Sequence, residues 1–96
     1  MNLTISSVRC ALQVALLGAI TPNLRAVNTQ IKDHLMELYF YYEAAASEEE
    51  VDLSEIVATE LLSDFIEIRV NVNRVILPIR QPIPEQELRI FHRSEK

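Results

Sequence analysis

The sequence predicts an α+β fold in which an antiparallel sheet carries two helices on one face. Residues 5–17 and 48–64 have the apolar spacing of amphipathic helices. The segments between and after them alternate apolar with polar residues or are rich in aromatic side chains, as half-buried strands are. The resulting order, α-β-β-α-β(-β), is typical of a two-layer sandwich.

Length and composition predict one domain, residues 1–96, with a modest core. The chain is 49% hydrophobic and 24% charged, which argues against disorder. Its single cysteine, Cys10, excludes an internal disulfide and a zinc cluster. We expect Cys10 to be a small buried side chain, and a reduced, cytoplasmic setting for the protein.

The first helix has an unusually wide apolar surface. One stripe and the residues that widen it are Ile5, Val8, Leu12, Ala15 and Leu16, with Cys10, Ala11, Val14 and Leu17. Such a helix is expected to be mostly buried or to meet a second subunit. Gly18 is placed to close it as a C-cap. The apolar run 11–20 is too short to span a bilayer and lacks the features of a signal peptide, so no membrane association is expected.

Two strands, 24–32 and 35–43, are predicted on either side of a turn at Asp33–His34. A helix over 30–46 is the alternative, but a Tyr-Phe-Tyr-Tyr run favours a strand. The residues of the second strand expected to face the core are Met36, Leu38, Phe40 and Tyr42. The residues expected on the open face of the sheet are Glu37, Tyr39, Tyr41, Glu67, Arg69 and Arg25. Tyrosine and arginine on an open face are common interface residues.

The second helix is predicted to begin with a capping box formed by Ser47 and Glu50. Its expected buried side consists of Val51, Ile56 or Val57, Ala58, Leu61, Leu62 and Phe65. A third strand follows from the alternation of Ile66, Ile68, Val70 and Val72 with Glu67, Arg69, Asn71 and Asn73. Prolines keep 78–84 extended. Residues 87–93 are expected to form a short edge strand, with a terminal helix as the alternative.

Nine acidic residues and no Lys or Arg lie between Glu43 and Glu67, and the net charge is −5. This block has two interpretations: solubility with helix stability, or a docking surface for a basic partner such as a nuclease. Direct nucleic-acid binding is disfavoured because it needs clustered Lys and Arg. The candidate partner-binding residues are Glu48, Glu49, Glu50, Asp52, Glu55, Tyr39, Tyr41 and Arg69.

No pattern of a catalytic, cofactor or metal site is found in the sequence. His34 and His92 have no partner at metal-ligand spacing, and one glycine cannot form a phosphate-binding loop. The carboxylates at the helix start lack the spacing of a calcium loop. The sequence therefore predicts neither enzymatic activity nor a cofactor.

Three segments carry a resemblance to known proteins: 15–27 (ALLGAITPNLRAV), 38–42 (LYFYY) and 58–65 (ATELLSDF). They resemble a group of small, largely uncharacterised bacterial α+β proteins of about 100 residues, some of them like immunity proteins for polymorphic or contact-dependent toxins. The resemblance covers most of residues 10–70. It implies the same layout of helix, hairpin, acidic linker, helix and strand, and it assigns no functional residue.

The leading hypothesis is a non-catalytic, cytoplasmic immunity protein that inhibits a basic toxin of the nuclease type through an acidic surface. The second is a homodimeric assembly or regulatory module that uses the wide apolar face of the first helix or the open sheet. The third, a small enzyme or ligand-binding domain, requires a pocket lined by convergent polar groups, which the sequence does not show.

Overall fold

A computed structural model describes residues 4–85 and 88–94 of the protein. Its elements are α1 Ile5–Ala15 with a 3-10 turn at Leu16–Gly18, β1 Leu24–Lys32, β2 Leu35–Tyr42, α2 Glu48–Asp64, β3 Arg69–Ile76 and β4 Leu88–His92. The predicted α+β class with two helices is therefore confirmed. Neither helix in the described ranges combines the length and apolar character needed to cross a membrane.

The four strands form one mixed sheet in the order β3-β2-β1-β4. Strand β1 pairs antiparallel with β2 and β4, whereas β2 and β3 run parallel, with Leu35 opposite Arg69 and Tyr42 opposite Ile76. The expectation of a wholly antiparallel sheet is thus wrong. The reason is that α2 carries the chain back along the sheet between β2 and β3, and a strand that follows such a crossover runs parallel to the first.

The predicted hairpin and the predicted last strand are both present. Asp33 has φ 56°, in the left-handed region that Asp tolerates in tight turns. Strand β1 ends just before Asp33 and β2 begins just after the turn, and the two strands pair with each other. A helix over 30–46 is therefore excluded. Strand β4 pairs with β1, so the alternative of a terminal helix is also wrong.

The core lies between the two helices and one face of the sheet. All four β2 residues predicted to point inward are buried: Met36, Leu38, Phe40 and Tyr42. From α2 and the loop after it, Val57, Leu61 and Phe65 enter the core, while Ile56 and Leu62 are exposed. The expected burial of Leu62 is therefore wrong. Of the two residues considered for the buried side of α2, Ile56 and Val57, it is Val57 that is buried.

Helix α1 buries a narrower stripe than its composition suggests. Its N-cap is Thr4, whose hydroxyl accepts a hydrogen bond from the Ser7 amide at 3.1 Å. The buried residues are Val8, Ala11, Leu12 and Ala15, and Cys10 lies on the exposed side, so its expected burial is wrong. Gly18 ends the 3-10 turn without a positive φ, so it is not the left-handed C-cap that we expected.

Strand β3 begins later than predicted, at Arg69 instead of residue 66. After α2 ends the chain must turn, and Glu67 does so with a left-handed backbone of φ 69°. Ile66 is therefore 81% exposed, while Ile68 is buried. Val70 and Val72 pack against the core from β3, as the alternation predicted.

Candidate functional site

The start of α2 presents exposed carboxylates on a well-ordered helix end. The predicted capping box is present: the Ser47 hydroxyl accepts from the Glu50 amide at 3.1 Å, and the Glu50 carboxylate accepts from the Ser47 amide at 3.0 Å. Glu48, Glu49 and Asp52 are exposed around this box. The charges of Glu48 and Glu49 lie in the first turn, at the positive end of the helix dipole, which stabilises them there.

Glu50 differs from its neighbours because its side chain is only 7% exposed. Its carboxylate accepts hydrogen bonds from the Thr21 hydroxyl and from the Asn23 amide, the latter at 3.2 Å. Burial alone would raise the pKa of Glu50, but the hydrogen bonds from Thr21, Ser47 and Asn23 outweigh it and hold the pKa below its ordinary value. Glu50 therefore fastens the start of α2 to the loop before β1.

Glu55, one turn further along α2, is exposed but has a cationic neighbour. Its carboxylate lies 3.7 Å from the Arg74 guanidinium of β3, which also donates to the Ser54 hydroxyl at 3.1 Å. An exposed pair of this kind contributes little stability, but it offsets part of the negative charge of Glu55. Glu48, Glu49 and Asp52 are exposed at the helix start and take part in no ion pair with the residues that the structure describes; we call these three residues the acidic face.

The other predicted partner-binding residues lie on the opposite face of the sheet. Phe40 and Tyr42 point to the core, so Tyr39 and Tyr41 point away from the helices. The two tyrosine rings are stacked, with centroids 6.2 Å apart and planes at 11°. Arg69 is exposed at the start of β3. The structure thus brings the two tyrosines together and separates them from the acidic face.

The face of the sheet that points away from the helices, which we call the outer face, is partly covered. This differs from the expectation of an open sheet. Arg25 lies where the β1–β2 register shifts, and it is 2% exposed. Its guanidinium donates to the carbonyls of Leu77 and Gln81, both at 2.9 Å. Tyr41, expected to be exposed, is buried with 4% of its surface accessible. The expectation that Arg25 lies on an open face is therefore wrong, because this buried guanidinium holds the 77–81 segment.

The uncovered half of the outer face contains a depression of about 390 Å³. Its lining residues are Gln30, Lys32, Leu35, Glu37, Tyr39, Asn71 and Asn73. The Glu37 carboxylate accepts from the side-chain amides of Asn71 at 2.9 Å and Asn73 at 2.7 Å. The sequence placed Glu37 on this face but did not single it out, because its contact with Asn71 and Asn73 depends on the parallel pairing of β2 and β3.

A second cavity, of about 290 Å³, lies against the 79–83 segment and is also lined by Arg25, Glu85, Arg89 and His92. Arg89 donates to the Asn28 side chain at 2.7 Å and to the Pro84 carbonyl at 2.9 Å, so its guanidinium helps to hold this segment. Within residues 4–85 and 88–94, no group of three His, Cys, Asp or Glu side chains is arranged to hold a metal ion.

Comparison with known proteins identifies the family of the chain. No curated protein matches the sequence. The family model described as MafI2 immunity protein matches residues 5–95, which include every helix and strand. This match confirms the resemblance to immunity proteins, and it indicates a protein that neutralises a toxin by binding it. The chain belongs to the MafI2 immunity protein family.

Proposed function

We propose that the chain neutralises a basic, nuclease-type toxin by docking its acidic face into the site where the toxin binds phosphate. The observation that carries this proposal is the acidic face itself. Glu48, Glu49 and Asp52 are all exposed at the start of a helix that the buried Glu50 fastens to the rest of the fold.

Carboxylates carried on a capped helix suit this task for two reasons. A nuclease site presents Lys and Arg to the phosphates of its substrate, and carboxylates on a fixed helix offer these cations negative charge in place of phosphate. Because capping fixes the helix start, little backbone ordering has to accompany binding. The net charge of −5 also attracts a basic toxin over longer distances and speeds the encounter.

This mechanism requires no catalysis by the chain, since occupation of the toxin's site is sufficient. We place the neutralisation in the cytoplasm, where a nuclease toxin would meet its substrate. Tyr39 and Arg69 lie on the opposite face of the sheet, so we propose that they serve a separate contact, not the acidic docking surface. Tyr41 is buried and stacks against the Tyr39 ring, so it is not proposed to touch a partner directly.

A growth-rescue assay tests the proposal. Toxin domains from the genome of the source organism are expressed one at a time in a bacterial reporter strain, with and without the chain. We expect rescue from a toxin with a basic, nucleic-acid-binding surface. The Glu48→Gln/Glu49→Gln/Asp52→Asn variant is expected to rescue poorly at equal expression.

The matched control is Glu60→Gln, which removes an exposed charge farther along the same helix and is expected to rescue fully. Rescue from none of the toxins would contradict the proposal. Equal rescue by the triple variant and the wild-type chain would show that the acidic face is not the docking surface.

A second candidate function, assembly of two copies through α1, is favoured by one observation. Val14 near the end of α1 and Leu17 in the 3-10 turn that follows it are exposed, and Leu17 is 81% accessible. Exposed apolar side chains that lie close together in the chain can form a contact with a second copy. Light scattering separates this candidate from the first: a dimer that Leu17→Glu converts to a monomer would support it, and a monomeric wild-type chain would remove it.

A further inference from the structure

We propose that the depression around Glu37 is a pocket for one arginine side chain of the toxin. This inference rests on the proposed function and names the chemistry of a second contact, on the face of the sheet away from the acidic face. Two features of the pocket carry it: an oriented carboxylate that has no cationic partner among the described residues, and an aromatic wall. A lysine that also lines the depression opposes cation binding and supplies a test of the proposal.

The Glu37 carboxylate is oriented by neutral groups. Asn71 donates to both of its oxygens, at 2.9 Å and 3.2 Å, and Asn73 donates to one of them at 2.7 Å. The described ion pairs elsewhere join Arg74 with Glu55 and Arg93 with Glu43. In residues 4–85 and 88–94, no cationic nitrogen lies within 4.0 Å of the Glu37 carboxylate. Its negative charge is therefore fixed in place and remains uncompensated.

The surroundings of this carboxylate favour arginine over lysine. Tyr39 lines the same depression, so a planar guanidinium can donate to Glu37 and lie against an aromatic ring at the same time. An Asn73 amide also donates to the Leu38 carbonyl at 3.1 Å, which ties the arrangement to the β2 backbone. At about 390 Å³ the depression is within the size range of binding pockets and admits an arginine side chain.

Lys32 competes with the incoming cation for this charge. It lines the rim of the depression from the end of β1, on an exposed side chain that makes no ion pair with Glu37. Its ammonium group weakens the attraction of the pocket for a second cation. Removal of Lys32 should therefore strengthen arginine binding, whereas removal of a residue that merely supports the fold would not.

The test is a titration of the whole chain with N-acetyl-L-arginine amide. Binding is monitored through the nuclear magnetic resonance signals of the Asn71 and Asn73 side-chain amides. We expect saturable shifts of these signals. N-acetyl-L-citrulline amide, which replaces the guanidinium with a neutral urea group, is expected to produce no saturable shift. N-acetyl-L-lysine amide is expected to bind several-fold more weakly than the arginine compound.

Two variants test whether the charges of Glu37 and Lys32 control the affinity for the arginine compound. Glu37→Gln keeps an acceptor for the asparagine amides but removes the charge, and we expect arginine affinity to fall about tenfold. Lys32→Gln is expected to raise the affinity several-fold. Equal binding of arginine and citrulline amides, unchanged affinity in Glu37→Gln, or weaker binding in Lys32→Gln would each overturn the proposal. The spectrum of each variant reports whether it is folded.

The rescue assay separates this inference from the proposed function. If the wild-type chain rescues from a toxin and Glu37→Gln rescues equally well at limiting expression, the arginine contact is wrong and the proposed function stands. If arginine amide binds as expected but no toxin is neutralised, the pocket binds guanidinium groups and its assignment to a toxin is wrong together with the proposed function.

Discussion

Replacing Arg25 with methionine is expected to lower the free energy of unfolding by about 3 kcal/mol, the cost of losing buried hydrogen bonds to a charged group. The guanidinium donates to the carbonyls of Leu77, Pro78 and Gln81 at 2.9–3.0 Å. Methionine keeps most of the apolar stem but has no donor, so these carbonyls lose their partner. The 77–81 segment is then held less firmly against β1.

Two measurements check this expectation. Denaturant unfolding gives the change in free energy, and trypsin reports the loop, because cleavage after Arg80 should become faster when the segment is released. The matched control for stability is Arg80→Met, which removes an exposed arginine from the same segment and should change the free energy of unfolding by less than about 0.5 kcal/mol. Equal effects of the two substitutions would contradict an anchoring role for Arg25.

Replacing Glu50 with alanine is expected to destabilise the protein by about 2 kcal/mol, the combined cost of a lost helix cap and lost hydrogen bonds to a charged acceptor. Thr21, Asn23 and Ser47 all donate to this carboxylate. Glu49→Ala is the matched control, because Glu49 is exposed in the same helical turn. Thermal and denaturant unfolding of the two variants should differ clearly, and similar stabilities would contradict the account.

The contribution of Glu50 should also depend on pH in a defined direction. Its pKa in the folded protein lies below the value of 4.5 for a free side chain, so the folded state favours the ionised carboxylate. This stabilisation is fully present above the unfolded pKa and is lost as the pH falls through the folded pKa. The stability difference between the wild-type chain and Glu50→Gln should therefore shrink on acidification below about pH 4.5. A difference that grows in acid would contradict this assignment.

Local patterns were sufficient to predict most elements but not their pairing. The capping box at Ser47, the turn at Asp33 and the inward face of β2 follow from interactions between residues close in sequence, and all three are present. The parallel pairing of β2 with β3 depends on the path of α2 across the sheet, which no local pattern contains. Consequently the contact of Glu37 with Asn71 and Asn73 was not predictable from the sequence as we interpreted it.

Burial was harder to predict where residues distant in sequence supply the hydrogen-bond partners of a charged side chain. Arg25 was expected on an open face of the sheet, yet it is 2% exposed under a segment that brings carbonyl oxygens to it. The capping box predicted from the sequence distinguished Glu50 from its acidic neighbours, but its burial depends on Thr21 and Asn23 in the loop before β1, which no local pattern placed beside it. The register shift in β1 that positions Arg25 could not be predicted either, because the local pattern of apolar residues does not indicate it.

The most direct test of the central claim is the rate at which the chain associates with the toxin identified by rescue, measured by stopped flow at several salt concentrations. We expect the wild-type rate to fall steeply as salt is added, because attraction between the acidic face and a basic toxin speeds the encounter. The Glu48→Gln/Glu49→Gln/Asp52→Asn variant should associate about tenfold more slowly at low salt and depend less on salt. Equal rates and equal salt dependence for the two proteins would contradict docking through the acidic face.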